Sequence, residues 1–267
     1  MSSDNSRVAT LTKEPLDRVK RQWTALGEKD PFWAVLTRPG TSGGRWDRAA
    51  FFETGVQEIG RVIGTAQHFS PVRFGTAVDF GCGVGRLSQA LSARFERVIG
   101  IDIAASMIDE AVRLNQFTDR CEYLHNVAAD LAVVPDESVD FLYSSITLQH
   151  VIPMLAQGYI REFFRVVRPG GVVVFQLPSG PRSVTRHWVK SAMPVALTNF
   201  LWRIRTGSPE AIESYFTPEG GVAKIVDQAH GSIVHVESNE DGPPGWQSRT
   251  YFCVCDGAPQ QYKGIGG

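Results

Sequence analysis

The stretch VDFGCGVGRLSQAL, Val78 to Leu91, sets glycines at every second position behind an apolar run and an aspartate. The residues before the glycines, TAVDF (76–80), read as a strand. Those after them place Leu87, Ala90, Leu91 and Phe95 at helical spacing. In an open α/β sheet a strand–loop–helix turn lies at the carboxyl edge, where ligands bind. Gly81, Gly83 and Gly85 would let a ligand lie against bare backbone. The helix start is expected to offer free amide groups and a partial positive charge. The pattern is G-x-G-x-G, not the G-x-G-x-x-G of a dinucleotide site, and no GKS or GKT follows. Asp79, two residues ahead of the first glycine, would repel phosphate and suit a cationic ligand.

Downstream, RVIGID, EYLHNV, VDFLYSS and VVVFQL read as strands, with ASMIDEAVRLN and QGYIREFFRVV as helices between them. Alternating strands and helices predict a parallel sheet covered on both faces. The end breaks the alternation. TPEGGVAKIVDQAH predicts a short helix capped by Thr217, with Pro218 at its first position. GSIVHVESNED and SRTYFCVCD then predict an antiparallel hairpin at the sheet edge. Upstream, Leu16, Val19, Trp23 and Leu26 share one helical face, and Phe52, Val56, Ile59, Ile63 and Ala66 share another. KDPFWAVLTRPGTSGGRW between them reads as a loop.

VDFGCGVGRLSQAL, VIGIDIAASMI and FRVVRPGGVVVF, in this order, resemble a class I S-adenosylmethionine-dependent methyltransferase from about Thr76 to Asp256. The resemblance implies an α/β, Rossmann-like, seven-stranded, mostly parallel sheet with an antiparallel last strand, here with a helical N-terminal cap. The implied division is a cap or lid (1–70), a methyltransferase core (71–256) with a substrate-side insertion (181–209), and a flexible tail (257–267). The implied cofactor is S-adenosyl-L-methionine, with S-adenosyl-L-homocysteine as product. Asp79, Gly81, Cys82, Gly83 and Gly85 match the loop that lies along the methionine part, with Arg86 nearby. Asp102 matches the acid that binds the ribose hydroxyls, and Ile103 and Met107 would flank the adenine. Asn126, Val127 and Ala128 stand where the family has an acid near the adenine amine, so Asn126 or Asp130 would cap that amine. Ser145, Ile146 and Gln149 would lie near the methionine end.

Methyl transfer from a sulfonium is an in-line displacement, in which placing the nucleophile contributes most. An alcohol acceptor also needs a base. His150, after the fourth strand, is the candidate, either as base or as pocket lining; His187 is a second. Arg48 and Phe52 in the cap, with His187 and Trp188 in the insertion, are candidate substrate residues. The insertion holds Arg182, Arg186, Lys190, Arg203 and Arg205 among aromatics, a pattern that suits an acidic or amphiphilic small molecule.

The expected function is therefore methyl transfer to a small molecule, with oxygen on a sugar, a lipid-linked group or a secondary metabolite as acceptor. The alternatives are an N- or C-methyltransferase and a non-catalytic binding or regulatory protein. A net charge of -1 argues against nucleic acid as partner. So does SSITLQHV, which stands where a nucleobase amino-methyltransferase has Asn/Asp-Pro-Pro-aromatic. No carboxylate cluster or Cys/His spacing predicts a metal. Four cysteines without a CxxC, no apolar signal segment and no membrane-length apolar run predict a reduced, cytoplasmic protein. The sequence gives no oligomeric state.

Overall fold

The computed structural model describes residues 2–182, 213–240, 242–243 and 245–256, with the backbone alone over 2–12. The N-terminal part is α1 (Ser2–Lys29), α2 (Pro31–Val35) and α3 (Arg48–Phe69). There follow β1 (Thr76–Phe80), α4 (Arg86–Ser92), β2 (Arg97–Asp102), α5 (Ala105–Leu114), β3 (Cys121–His125) and β4 (Val139–Ser144). A 3-10 turn (Leu148–His150), α6 (Pro153–Val166), β5 (Val167–Pro181), α7 (Glu219–Gln228), β6 (Gly231–Asn239) and β7 (Trp246–Cys255) complete the order.

The seven strands form one sheet in the order β3-β2-β1-β4-β5-β7-β6. β1 pairs in parallel with both β2 and β4, β2 with β3, and β4 with β5, whereas β7 runs antiparallel to β5 and β6. Strand order therefore reverses between β1 and β4, and a crevice opens at their carboxyl ends. The two faces divide the strands by alternation. Val78, Phe80, Ile99, Ile101, Leu142, Val173 and Phe175 face α6 and α7. Ala77, Val98, Phe141, Val172, Val174 and Phe252 face α3 and α4. Burial on both faces is why these strands read as continuous apolar runs.

Four local expectations change. α3 buries Phe51, Gly55, Ile59, Val62, Ile63 and Ala66, while Val56 is 48% exposed and Phe52 half-buried. The stripe turns because α3 meets α4 backbone to backbone: a Cβ on Gly55 would overlap the Arg86 carbonyl. α3 thus packs on one face of the sheet as core helices do, while Leu16 and Val19 of α1 join the core of the other face. The region read as loop contains α2, begun by Pro31 at its first position. It is tied back by Asp30, which accepts from the amides of Gly43 (2.6 Å) and Gly44 (3.2 Å). At α7, Pro218 is the cap and Thr217 caps nothing; the Thr217 amide donates to the Pro178 carbonyl at 3.0 Å instead. β5 outruns its predicted span because β7 pairs with it as far as Pro181. The tail (257–267) and most of the insertion (183–209), with His187 and Trp188, lie outside the described residues.

Two glycines of α3 should respond oppositely to alanine. Gly55→Ala must push α3 off α4 and should cost about 1–3 kcal/mol. Gly64, with nothing near its would-be Cβ, should gain about 0.5–1 kcal/mol in Gly64→Ala. Denaturant unfolding of both variants measures the two signs.

Candidate active site

A cavity of about 900 Å³, including the open solvent at its mouth, occupies the crevice beside β1 and β4. Its floor is the glycine loop. The amides of Gly81 and Cys82 donate to the Ile101 carbonyl at 2.8 and 3.0 Å, and that of Gly85 to the Cys82 carbonyl at 2.9 Å. The Gly83 amide donates to Asp102 Oδ2 at 2.9 Å. These four loop amides are therefore already bonded within the protein. The loop's contribution is shape. All three glycines hold left-handed backbone, with φ of 79°, 52° and 83°. At Gly83 a side chain would also overlap Val35 of α2, so the cap rests directly on the loop.

Asp102 ends β2 at the cavity wall. Ala104 N donates to its Oδ1 at 2.8 Å, so both oxygens are oriented by backbone while the residue still lines the cavity. Burial raises its pKa, and the two amides oppose that rise. Ile103, Met107, Asn126, Ser145 and Ile146 join it in the wall, as do Gly81, Cys82, Gly83 and Arg86. Asn126 is held in a turn, donating to the Asp130 carbonyl at 2.7 Å and accepting from Ala128 N at 3.1 Å. The Asp130 side chain is turned to Ala132 N, outside the wall.

Other predicted residues stand elsewhere. Asp79 is fully buried beneath the loop, outside the cavity wall, accepting from Ser88 Oγ at 2.6 Å. Burial pushes its pKa up to about 7, against the Ser88 hydroxyl and the Arg86 charge. Gly85, Val127, Ala128 and Gln149 are also outside the wall, as are Arg48 and Phe52. Arg48 is exposed, and Phe52 packs edge-on to Phe32 and Phe51 in an ordinary aromatic cluster. The cap reaches the cavity instead through Leu16, Val19, Trp23 and Val35. The first three lie on the predicted α1 stripe; nothing in an apolar stripe distinguishes a cavity wall from a core.

His150 lines the cavity with its ring 5.1 Å from that of Trp23. Its Nδ1 lies 3.1 Å from the Glu213 carbonyl, which can only accept, so Nδ1 carries the proton. Nε2 then accepts from the Gln149 amide at 3.0 Å. Gln149 Oε1 accepts from Gln176 Nε2 (3.1 Å), which also donates to Ser248 Oγ, and Gln176 Oε1 accepts from Ile146 N (3.0 Å). This chain holds Ile146 at φ 58°, a strained conformation for a β-branched residue. Burial pushes the pKa of His150 down to about 4. The segment that meets His150 is latched to the cap, with Arg18 pairing Glu213 at 2.7 Å and Tyr215 N donating to the Gln149 carbonyl at 2.8 Å.

His150 and Asp79 bias stability in opposite directions. An unfolded histidine takes up its proton near pH 6.5 and the folded one only near 4, so His150 makes stability rise with pH across that window. Folded Asp79 keeps its proton to about 7 and the unfolded residue loses it near 3.8, so Asp79 makes stability fall as pH rises over that range. Between pH 4 and 6.5 the two oppose each other. His150→Gln should steepen the loss of stability with rising pH there, and Asp79→Asn should steepen the gain. Thermal unfolding from pH 4.5 to 7 checks both slopes.

Among the described residues no group of three His, Cys, Asp or Glu side chains could hold a metal ion, and no helix is long and apolar enough to cross a membrane. The four cysteines are buried and form no disulfide.

Residues 78–175 match the family described as "Methyltransferase domain". Over 98 residues (37% of this chain, 34% of the relative) the sequence is 39% identical to a malonyl-[acyl-carrier protein] O-methyltransferase of Yersinia pestis. Over 182 residues (65% and 66%) it is 28% identical to a trans-aconitate 2-methyltransferase of Paracidovorax citrulli. The matched part thus spans about a third of the first relative and just under two thirds of the second. Magnesium protoporphyrin IX methyltransferase from Synechocystis PCC 6803, solved with bound SAH, shares the fold. Its TM-score is 0.59 at 18% identity, covering 90% of this chain and 99% of that one. Residues 78–175 thus match a methyltransferase domain, and the G-x-G-x-G between β1 and α4, the acid ending β2 and the strand order 3-2-1-4-5-7-6 are those of the class I, S-adenosylmethionine-dependent fold.

Proposed function

We propose that the protein is a small-molecule methyltransferase whose acceptor is an acidic oxygen, a carboxylate or phenolate, on an apolar body. The observation that carries this is the crevice itself. A bare loop and a backbone-anchored carboxylate, Asp102, face one cavity whose other walls are mostly apolar.

The residues present fit S-adenosylmethionine. Gly81 and Gly83 line the cavity along the loop, and Asp102 can accept from a diol. Ile103 and Met107 offer apolar faces to a flat ring, beside the amide of Asn126. Bound there, the cofactor supplies a methyl group on a sulfonium that leaves as a neutral thioether. The chain's residues then have to align the acceptor and exclude water. Trp23, Val19 and Leu16 cover the cavity from α1 for the second task.

In this reading His150 is a neutral wall residue that orients the acceptor. A histidine held near pKa 4, its Nε2 already accepting from Gln149, is a weak base at neutral pH. That favours an acceptor ionised before it binds. The two relatives named for malonyl-carrier and trans-aconitate methylation support the same class. The apolar wall supports a lipid-linked group or secondary metabolite over a sugar. We place the enzyme in the cytoplasm.

Asp102→Asn should weaken S-adenosylmethionine binding by about 10–100-fold, the range for losing hydrogen bonds to a charged group, as read by titration calorimetry. Unchanged affinity would remove Asp102 from the cofactor site. Transfer of labelled methyl to a panel of carboxylic acids, phenols, alcohols and amines tests the acceptor. Turnover confined to amines would overturn the oxygen assignment.

A further inference from the structure

Arg86 is a cation in the cavity wall, yet only 3% of its side chain is exposed. Its guanidinium lies 2.8 Å from Glu58 Oε2 and 3.4 Å from Thr54 Oγ1, both on α3. The other Glu58 oxygen accepts from the Tyr143 hydroxyl at 2.8 Å. Tyr143 is in β4, two residues before Ser145, which is itself in the cavity wall. Gly55 makes this reach possible. It lets α3 touch the Arg86 carbonyl, and Glu58 follows one turn later.

From this geometry we propose that Glu58 is a positioning residue that holds Arg86 and cancels its charge, so that the site accepts a sulfonium cation. The proposal rests on the S-adenosylmethionine reading above. An uncompensated guanidinium in a low-dielectric wall repels a cationic ligand and leaves its neutral counterpart unaffected. Burial alone would raise the pKa of Glu58, but the Arg86 charge and the Tyr143 hydroxyl outweigh it, so the carboxylate is ionised. Asp79 also lies near Arg86, but burial pushes its pKa up to about 7, so below that pH it is mostly protonated and Glu58 is the counter-ion.

S-adenosylmethionine and S-adenosylhomocysteine differ by one methyl group and the charge it places on sulfur. Their affinity ratio therefore separates charge compensation from mere support of the fold. Titration calorimetry of the full chain at about pH 6, where Asp79 is mostly protonated, should show Glu58→Gln losing about tenfold more affinity for S-adenosylmethionine than for S-adenosylhomocysteine. Arg86→Met should move the ratio the other way. Equal losses for both ligands in Glu58→Gln overturn the proposal. Should Glu58→Gln not fold, Arg86→Met decides alone, and a ratio unchanged or moved toward S-adenosylhomocysteine overturns it. If the wild-type chain binds neither ligand, it is the cofactor reading that fails.

Discussion

The hydrogen bond from the Gly83 amide to the Asp102 carboxylate joins the loop after one strand to the end of its neighbour. Together with the amides of Gly81 and Cys82 on the Ile101 carbonyl, it sews β1 to β2 at the crevice. The chain must turn left-handed to make these bonds, which is why glycines stand there. Once the loop is held down, Thr147, Val35 and Tyr123 can close on its glycines and the cavity has a floor. The carboxylate that anchors the loop is also in the wall, so the loop's shape and the site's acidity come from one residue.

Much of this architecture was legible in the sequence. Strand and helix periods, the loop spacing and the closing hairpin all arise from local patterns, and local patterns survive folding. What stayed hidden depends on distant partners. The inward face of α3 is marked by Gly55, a residue without hydrophobicity, and its meaning comes from the Arg86 carbonyl 31 positions later. His150 has its tautomer set by Glu213, and Asp79 looks like a ligand group until the sheet closes over it. The cap residues that reach the cavity are apolar side chains, which a sequence cannot separate from core. Arg48 and Phe52 had the chemistry for a lid but stand on faces that look elsewhere.

Behind the wall, side-chain amides do much of the ordering. Ser248, Gln176, Gln149 and His150 form one chain that starts on β7, crosses β5 and ends at the carbonyl of Glu213. Each member is buried or half-buried, and each hydrogen bond leaves its neighbour with one choice of role. The left-handed Ile146 is kept in place by this chain through Gln176. Strain of this kind persists only where surrounding bonds over-determine it. The acceptor end of the crevice is thus stiffer than its position at the end of a strand would suggest.

Val35 resting on Gly83 ties the outline of the site to a part of the chain far from the sheet. A ligand lying along the loop shares its boundary with a five-residue helix and the segment that carries it. The shape of the crevice is therefore written partly in the first thirty-five residues, and a change in how α2 sits is a change in the site itself.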